Sequence, residues 1–151
     1  MYPLDRGLWG ATTRITHLRD ELTRLVDLEV VAGHRAARRW PLVRYALSGR
    51  LRGLRGIYVE NSSSLPSETD LFFLFLARLL RIPVLTYVRD AQYLFDEYYG
   101  AGSLKRRLAR ALFLPAVRLL RAVSTAVAYP SAGLAEAVGD GAVPPRLLPP
   151  G

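Results

Sequence analysis

The stretch IYVENSSSLPSETDLFFLFLARLLRIPVLTYVRD, residues 57–90, contains a strand, a polar loop, a helix and a second strand. Ser67, three residues before Asp70, is typical of a helix start, and a mostly apolar helix follows it. The second strand is apolar almost throughout, as expected of a parallel strand that is buried on both faces. The predicted elements are a strand over 57–60, a helix over 71–80 and a strand over 83–88.

Helix and strand patterns also alternate outside this stretch. Before this stretch, the sequence predicts a loop over 2–10, a helix on which Ile15, Leu18, Leu22 and Leu25 form one stripe, a strand over 28–32, and a helix over 35–50 that Pro41 breaks or restarts. After it, the sequence predicts a short helix over 91–98 and a helix over 104–122 that is capped by Ser103 and kinked at Pro115. A strand over 123–129 and a helix from Ser131 to Gly139 follow. Leu147 and Leu148 form either one last strand or part of a linker. The alternation predicts an α/β fold, a Rossmann-like parallel sheet with helices on both faces.

The two ends of the sequence depart from the usual pattern of such a fold. The chain begins with a loop and a helix where an opening strand is expected, so the first strand is missing from the pattern. The proline-rich residues 144–151 are typical of a hinge. We therefore expect one domain over 1–143, incomplete at its start, and a hinge or linker over 144–151 that leads toward a further domain.

The composition excludes several functions. The 151 residues carry a net charge of +8, nearly all of it from arginine, which favours phosphate-bearing partners such as anionic lipid or nucleotide-linked substrates. Nucleic acid is not an expected partner, because no recognition motif is present. The absence of cysteine excludes disulfides and a thiol nucleophile, and the two isolated histidines predict no metal site. The sequence has neither a secretory signal nor the roughly 18–20 apolar residues that span a bilayer, which predicts a cytoplasmic protein.

Polar residues follow the predicted strands, where α/β folds bind their ligands. Asp90 comes directly after the most apolar strand, and its carboxylate suits a general base or a sugar-hydroxyl contact. The alternatives for Arg89 and Asp90 are an ion pair between neighbours or a helix cap. Glu60 and Asn61 hold the matching position one strand earlier, and Ser131 follows a later strand. We take Asp90 as the candidate catalytic residue and Asn61, Arg89 and Ser131 as candidate substrate contacts.

Two further features bear on anion binding. Before the first helix, Arg6, Gly7 and Gly10 allow the backbone to approach a phosphate, or they form an ordinary loop. The helix over 104–122 is amphipathic, with a basic arc beside an apolar one. The basic arc contains Arg106, Arg107, Arg110, Arg118 and Arg121, and the apolar arc contains Leu104, Leu108, Ala111, Leu112 and Leu119. Such a helix either lies on an anionic membrane or exposes a solvated basic face while its apolar arc is buried.

The order of these segments resembles the N-terminal half of GT-B glycosyltransferases, in particular glycosyltransferase family 4. The resemblance extends from about Arg6 to Gly151. In the first half of the chain it rests on Ile57-Tyr-Val-Glu60, on the helix that ends in Arg78-Leu-Leu-Arg-Ile-Pro83, and on Val84-Leu-Thr-Tyr-Val-Arg-Asp90. In the second half it rests on the long basic helix and on Thr125-Ala-Val-Ala-Tyr129 followed by Ser131. It also rests on Leu148-Pro-Pro-Gly151, where the family often has a Pro-Asn-Gly hinge. Arg89 stands where many members have histidine.

The resemblance implies the acceptor-binding half of an enzyme that moves a sugar from a nucleotide-sugar donor to a hydroxyl. Asp90 would orient or deprotonate the acceptor, and Gly7 and Gly10 would face the cleft. In the family a second domain, which carries a Glu-x7-Glu motif, binds the donor, and this sequence has no counterpart of that domain. This chain would then bind no cofactor itself, and its partners would be a C-terminal domain or partner chain and a sugar, lipid-linked or small-molecule acceptor.

A function of another class is also open. The domain is then a non-catalytic scaffold that binds anionic partners through the basic helix over 104–122. If the helix lies on a membrane, either function places the protein peripherally at the inner face of that membrane.

Overall fold

A computed structural model of the protein describes residues 9–61, 66–90, 104–139 and 146–148. The elements in chain order are α1 (Trp9–Leu25), α2 (Arg35–Leu47), a 3-10 turn (Arg50–Gly53), β1 (Ile57–Asn61), α3 (Glu68–Leu79), β2 (Val84–Val88), α4 (Leu104–Val123), β3 (Ala126–Tyr129), α5 (Ala132–Ala137) and β4 (Arg146–Leu147). The four strands form one parallel sheet in the order β1-β2-β3-β4. The predicted α/β class with a Rossmann-like parallel sheet is confirmed.

The three helices that connect consecutive strands pack on one face of this sheet. Val84 lies in one apolar cluster with Leu74 of α3, and Val88 lies in another with Phe113 of α4 and Ala135 of α5. Side chains alternate along a strand, so Val84 and Val88 point to the same face. Right-handed crossovers between strands that follow one another in one direction place every connecting helix on that face. The connecting helices α3, α4 and α5 therefore lie on the same face of the sheet.

The start of α3 has the geometry that the sequence predicts. The Ser67 side chain accepts a hydrogen bond from the Asp70 backbone N–H at 3.1 Å, and the Ser67 backbone N–H donates to Asp70 Oδ2 at 2.9 Å. Two of the N–H groups at the helix end are thereby satisfied. Asp70 also accepts two hydrogen bonds from Arg38, at 2.6 and 3.2 Å, which tie α2 to α3. The carboxylate of Asp70 thus serves both the helix start and the packing of two helices.

We expect Asp70 to make the protein less stable in acid. Burial raises the pKa of Asp70, but the hydrogen bonds from Arg38 and Ser67 outweigh burial and leave that pKa below its ordinary value. A lowered folded-state pKa stabilises the protein above the unfolded value of about 3.9, and this stability is lost as the pH falls through the folded-state value. Urea unfolding from about pH 5 to pH 2 should show a decline that is smaller in Asp70→Asn.

A neighbouring carboxylate provides the control for this experiment. The pKa of Glu68 is also lowered, first by a hydrogen bond from its own backbone N–H and then by Arg39, but its side chain is exposed. Glu68→Gln should leave most of the acid-dependent decline in place, because solvent screens this exposed pair. An equal effect of the two variants would contradict the role given to Asp70.

Several local predictions are corrected by the structure. The run over 28–32, predicted as a strand, forms none: Val31 packs against the apolar core and Val30 is half exposed. α2 continues through Pro41, where a break or a new start was predicted, because the buried Leu42 anchors the helix against α3. Proline removes only one backbone hydrogen bond, and the packing keeps the helix intact. α1 begins at Trp9, so Gly10 lies in its first turn instead of a loop.

The end of α4 and the last strand also differ in detail. The predicted strand over 123–129 begins at Ala126, since the Ser124 backbone N–H still donates to the carbonyl of Leu120, in continuation of the helix. Of the two alternatives for Leu147 and Leu148, the strand is confirmed: the Leu148 N–H donates to the Tyr129 carbonyl at 2.9 Å. Part of the predicted hinge therefore belongs to the sheet. The predicted helix over 91–98 and the predicted cap Ser103 lie outside the described residues.

Candidate binding site at the carboxyl edge of the sheet

Four polar residues meet where β1 and β2 end. Glu60 and Asn61 are the last residues of β1, and Arg89 and Asp90 directly follow β2. The Arg89 backbone N–H donates to the Asn61 carbonyl at 3.0 Å, which continues the strand pairing one residue beyond β2. The parallel pairing thus fixes the backbone of Glu60, Asn61 and Arg89, and Asp90 is the next residue of the chain. We name these four residues the carboxyl-edge cluster.

One guanidinium lies between two carboxylates in this cluster. Arg89 Nη2 lies 3.3 Å from Asp90 Oδ2, and Arg89 Nη1 lies 3.8 Å from Glu60 Oε1. The Tyr58 hydroxyl donates to Glu60 Oε2 at 3.5 Å. The Glu60 side chain is 10% exposed, and those of Arg89 and Asp90 are also mostly buried. One positive and two negative charges leave a formal charge of −1, so the cluster offers no surplus positive charge to a phosphate.

Three buried polar atoms of the cluster have no hydrogen-bond partner within the described part of the chain. They are Glu60 Oε1, Asn61 Nδ2 and Asp90 Oδ1. A buried polar atom without a partner destabilises a protein by about 1–3 kcal/mol, so each such atom calls for an explanation. A ligand at this edge would satisfy two acceptors, Glu60 Oε1 and Asp90 Oδ1, and one donor, Asn61 Nδ2. Glu60 and Asn61 are consecutive in β1 and point to opposite faces, so the ligand must reach across the strand ends.

The sequence placed three of these four residues among its candidates. Asn61, Arg89 and Asp90 are brought together, and the ion pair that was one alternative for Arg89 and Asp90 is present. Glu60 was noted only as the counterpart of Asp90 one strand earlier, although its contact with Arg89 makes it a full member of the cluster. The contact of Tyr58 was missed. Its signal was the period of two that places Tyr58 and Glu60 on the same face of β1.

The other candidates lie elsewhere. The Ser131 hydroxyl caps α5 by accepting a hydrogen bond from the Leu134 N–H at 3.2 Å, and the residue is exposed. Arg6 and Gly7 lie outside the described residues, and Gly10 is in α1. No group of three or more His, Cys, Asp or Glu side chains within the described ranges is placed to hold a metal ion.

In the described contacts of the carboxyl-edge cluster, Arg107, Arg118 and Arg121 of α4 do not take part. Arg107 and Arg118 are exposed, and Arg121 Nη1 donates to the carbonyl of Gly139 at 3.3 Å. The side chains of Arg106 and Arg110 are not among those described. No helix in the described ranges is both long enough and apolar enough to cross a membrane.

No family model, curated protein or solved structure matches this chain. The resemblance to glycosyltransferase family 4 therefore rests only on the sequence motifs described above. The chemistry of the site is inferred from the carboxyl-edge cluster.

Proposed function

We propose that this chain is the acceptor-binding half of a glycosyltransferase that moves a sugar from a nucleotide-sugar donor to a hydroxyl. The observation that carries the proposal is the set of buried polar atoms without partners at the carboxyl ends of β1 and β2. Ligands of parallel α/β sheets bind at this edge. The order of the sequence segments, which resembles glycosyltransferase family 4, supports the same assignment.

The charge of the cluster favours a neutral, hydroxyl-bearing acceptor over a phosphate. The guanidinium of Arg89 lies between Glu60 and Asp90, so its positive charge is already balanced. A phosphate placed here would meet two carboxylates. A sugar hydroxyl both donates and accepts hydrogen bonds, which suits the acceptor atoms of Glu60 and Asp90 and the donor of Asn61.

Each member of the cluster has a role in this proposal. Asp90 Oδ1 accepts the hydrogen bond of the reacting hydroxyl, orients it and takes its proton during transfer. Arg89 holds the Asp90 carboxylate through Oδ2, which leaves Oδ1 for the acceptor. Glu60 Oε1 accepts from a second hydroxyl and sets the orientation of the acceptor. The nucleotide-sugar donor is bound by a C-terminal domain or by a partner chain.

Asp90→Asn should abolish most of the sugar transfer by the complete enzyme. The amide retains the size of the side chain and loses the ability to take a proton, so we expect turnover to fall by roughly 10²–10⁴-fold at unchanged melting temperature. The measurement is a transfer assay over a panel of nucleotide-sugar donors, with native protein whose intact mass and coding frame have been determined. Asp20→Asn, the same change at an exposed carboxylate of α1, is the matched control.

Acceptor binding can be measured separately on the 151-residue chain. Calorimetric titration with methyl hexopyranosides should give weak binding that Glu60→Gln and Asp90→Asn each reduce, whereas inorganic phosphate should not compete. Turnover that is unchanged in Asp90→Asn would remove Asp90 from the mechanism. Preferential binding of phosphate would contradict the acceptor class.

A further inference from the structure

The outward face of α4 is apolar. The helix is anchored by Phe113, Val117 and Leu120, which are buried, so the opposite side of the helix faces away from the core. The leucines that the sequence placed beside the basic arc lie on that side: Leu104, Leu108, Leu112 and Leu119, of which Leu108 is 58% and Leu119 53% exposed. A helix that packs on a sheet normally has polar residues on this side.

α3 has an outward face of the same kind. Phe73, Leu74 and Ala77 are buried against the sheet, while Phe72 is 59% and Leu79 63% exposed. Phe72, Phe75 and Leu79 follow the spacing of one helical stripe, and Phe75 is also exposed. The outward face of α3 is therefore formed by large apolar side chains, two of them aromatic.

The two faces belong to neighbouring helices of one layer. Leu120 of α4 packs in the same apolar cluster as Leu74 and Ala77 of α3. Both helices lie on the same face of the sheet, so their outward stripes point away from it together. Soluble monomers rarely expose several large apolar side chains in one region, and such regions mark interaction surfaces.

We name the outward stripes of the two helices together the α3–α4 face; it consists of Phe72, Phe75 and Leu79 of α3 and Leu104, Leu108, Leu112 and Leu119 of α4. The charged residues beside this face are positive. α4 contains no acidic residue, and neither does the sequence over 71–89. Arg78 at the end of α3 and Arg107 and Arg118 of α4 are exposed. Glu68 at the start of α3 is paired with Arg39. The face thus combines apolar side chains with cations, and the acidic residue at its end is already neutralised.

We propose that the α3–α4 face lies on the surface of an anionic lipid bilayer. Its leucines and phenylalanines enter the boundary between headgroups and acyl chains, and its arginines contact the phosphates. A second copy of this chain would bring the same cations to the interface, where they repel. An anionic bilayer satisfies both the apolar stripes and the arginines. The proposal stands independently of sugar transfer and assigns the surface to α3 as well as to α4.

The test is binding of the full 151-residue chain to vesicles of phosphatidylcholine and phosphatidylglycerol, compared with vesicles of phosphatidylcholine alone. We expect binding to the anionic vesicles that weakens with salt. Phe72→Gln/Phe75→Gln on α3 and Leu108→Gln/Leu112→Gln on α4 should each weaken it by roughly tenfold or more. Arg107→Gln/Arg118→Gln should weaken binding to the anionic vesicles and reduce its salt dependence.

The matched control is Leu25→Gln/Val26→Gln, the same kind of change at exposed apolar residues outside α3 and α4. This control should bind as the unchanged chain does, and circular dichroism should show that all variants are folded. Failure of the unchanged chain to bind anionic vesicles would overturn the proposal. So would an equal loss in the control, or self-association that the face variants abolish in the absence of vesicle binding. The face variants should still bind methyl hexopyranosides, which separates this proposal from the proposed function.

Discussion

Replacement of Arg89 by methionine is expected to lower the free energy of unfolding by about 3–5 kcal/mol. The guanidinium separates the carboxylates of Glu60 and Asp90, which are both mostly buried. Without this guanidinium, the two carboxylates repel each other in a mostly buried place at the end of the sheet. Urea unfolding followed by circular dichroism measures the loss.

The matched control for this change is Arg19→Met, which removes the partner of Asp20 in an exposed pair and should lower the free energy of unfolding by less than about 1 kcal/mol. Addition of Glu60→Gln to Arg89→Met should restore part of the stability, because one of the two charges is then gone. A loss as small as that of the control would show that water reaches the carboxyl-edge cluster and that its polar atoms need no ligand.

Asp70→Ala should destabilise the protein by a similar amount, about 3–5 kcal/mol, for a different reason. The substitution leaves the mostly buried guanidinium of Arg38 without its carboxylate and removes the acceptor for the Ser67 N–H. Two contributions are therefore lost, the link between α2 and α3 and part of the helix cap. Thermal and urea unfolding should both report the loss.

Two further variants separate these contributions. Ser67→Ala removes the other half of the cap and should lower the free energy of unfolding by only about 1 kcal/mol. Arg38→Met/Asp70→Leu replaces the whole pair by apolar side chains and should recover most of the stability that Asp70→Ala loses. If the double variant is as unstable as Asp70→Ala, the loss is not caused by the unpaired charge of Arg38, and the proposed reason is wrong.

The two large effects have different consequences for the proposed function. Asp70 lies at the start of α3, and its replacement should change stability while folded protein still binds methyl hexopyranosides. Arg89 holds the Asp90 carboxylate, so its replacement should reduce sugar binding even in the fraction that remains folded. Sugar binding should be measured well below the unfolding transition of each variant. It then distinguishes the structural role of Asp70 from the acceptor contact of the carboxyl-edge cluster.

Local sequence signals determined the β1-α3-β2 unit. The Ser67 side chain accepts from the Asp70 N–H, and the Asp70 side chain accepts from the Ser67 N–H. The cap of α3 therefore depends on two residues that are three positions apart. The apolar run up to Val88 fits a strand buried within a parallel sheet, whatever its neighbours are. The same reasoning predicted that Asn61 and Asp90 lie at one edge, because parallel strands end on the same side of a sheet.

The tertiary structure decided what depends on residues distant in sequence. The strand register brings Glu60 within reach of Arg89, and no pattern within either strand states that pairing. The run over 28–32 has strand-forming residues, yet strand formation requires a partner, and Val31 instead packs against the core. Pro41 should interrupt a helix by local rules, but burial of Leu42 keeps α2 continuous.

The division is clearest in α4. From sequence alone its leucines and arginines define an amphipathic helix, and nothing local states which arc faces the sheet. The structure buries Phe113, Val117 and Leu120 and turns Leu108 and Leu119 outward. Helix periodicity is a property of the chain, whereas the face that is buried depends on the shape of the sheet beneath it. The sequence therefore determined that α4 is a helix with an apolar arc, and only packing against β2 and β3 decided that this arc is exposed.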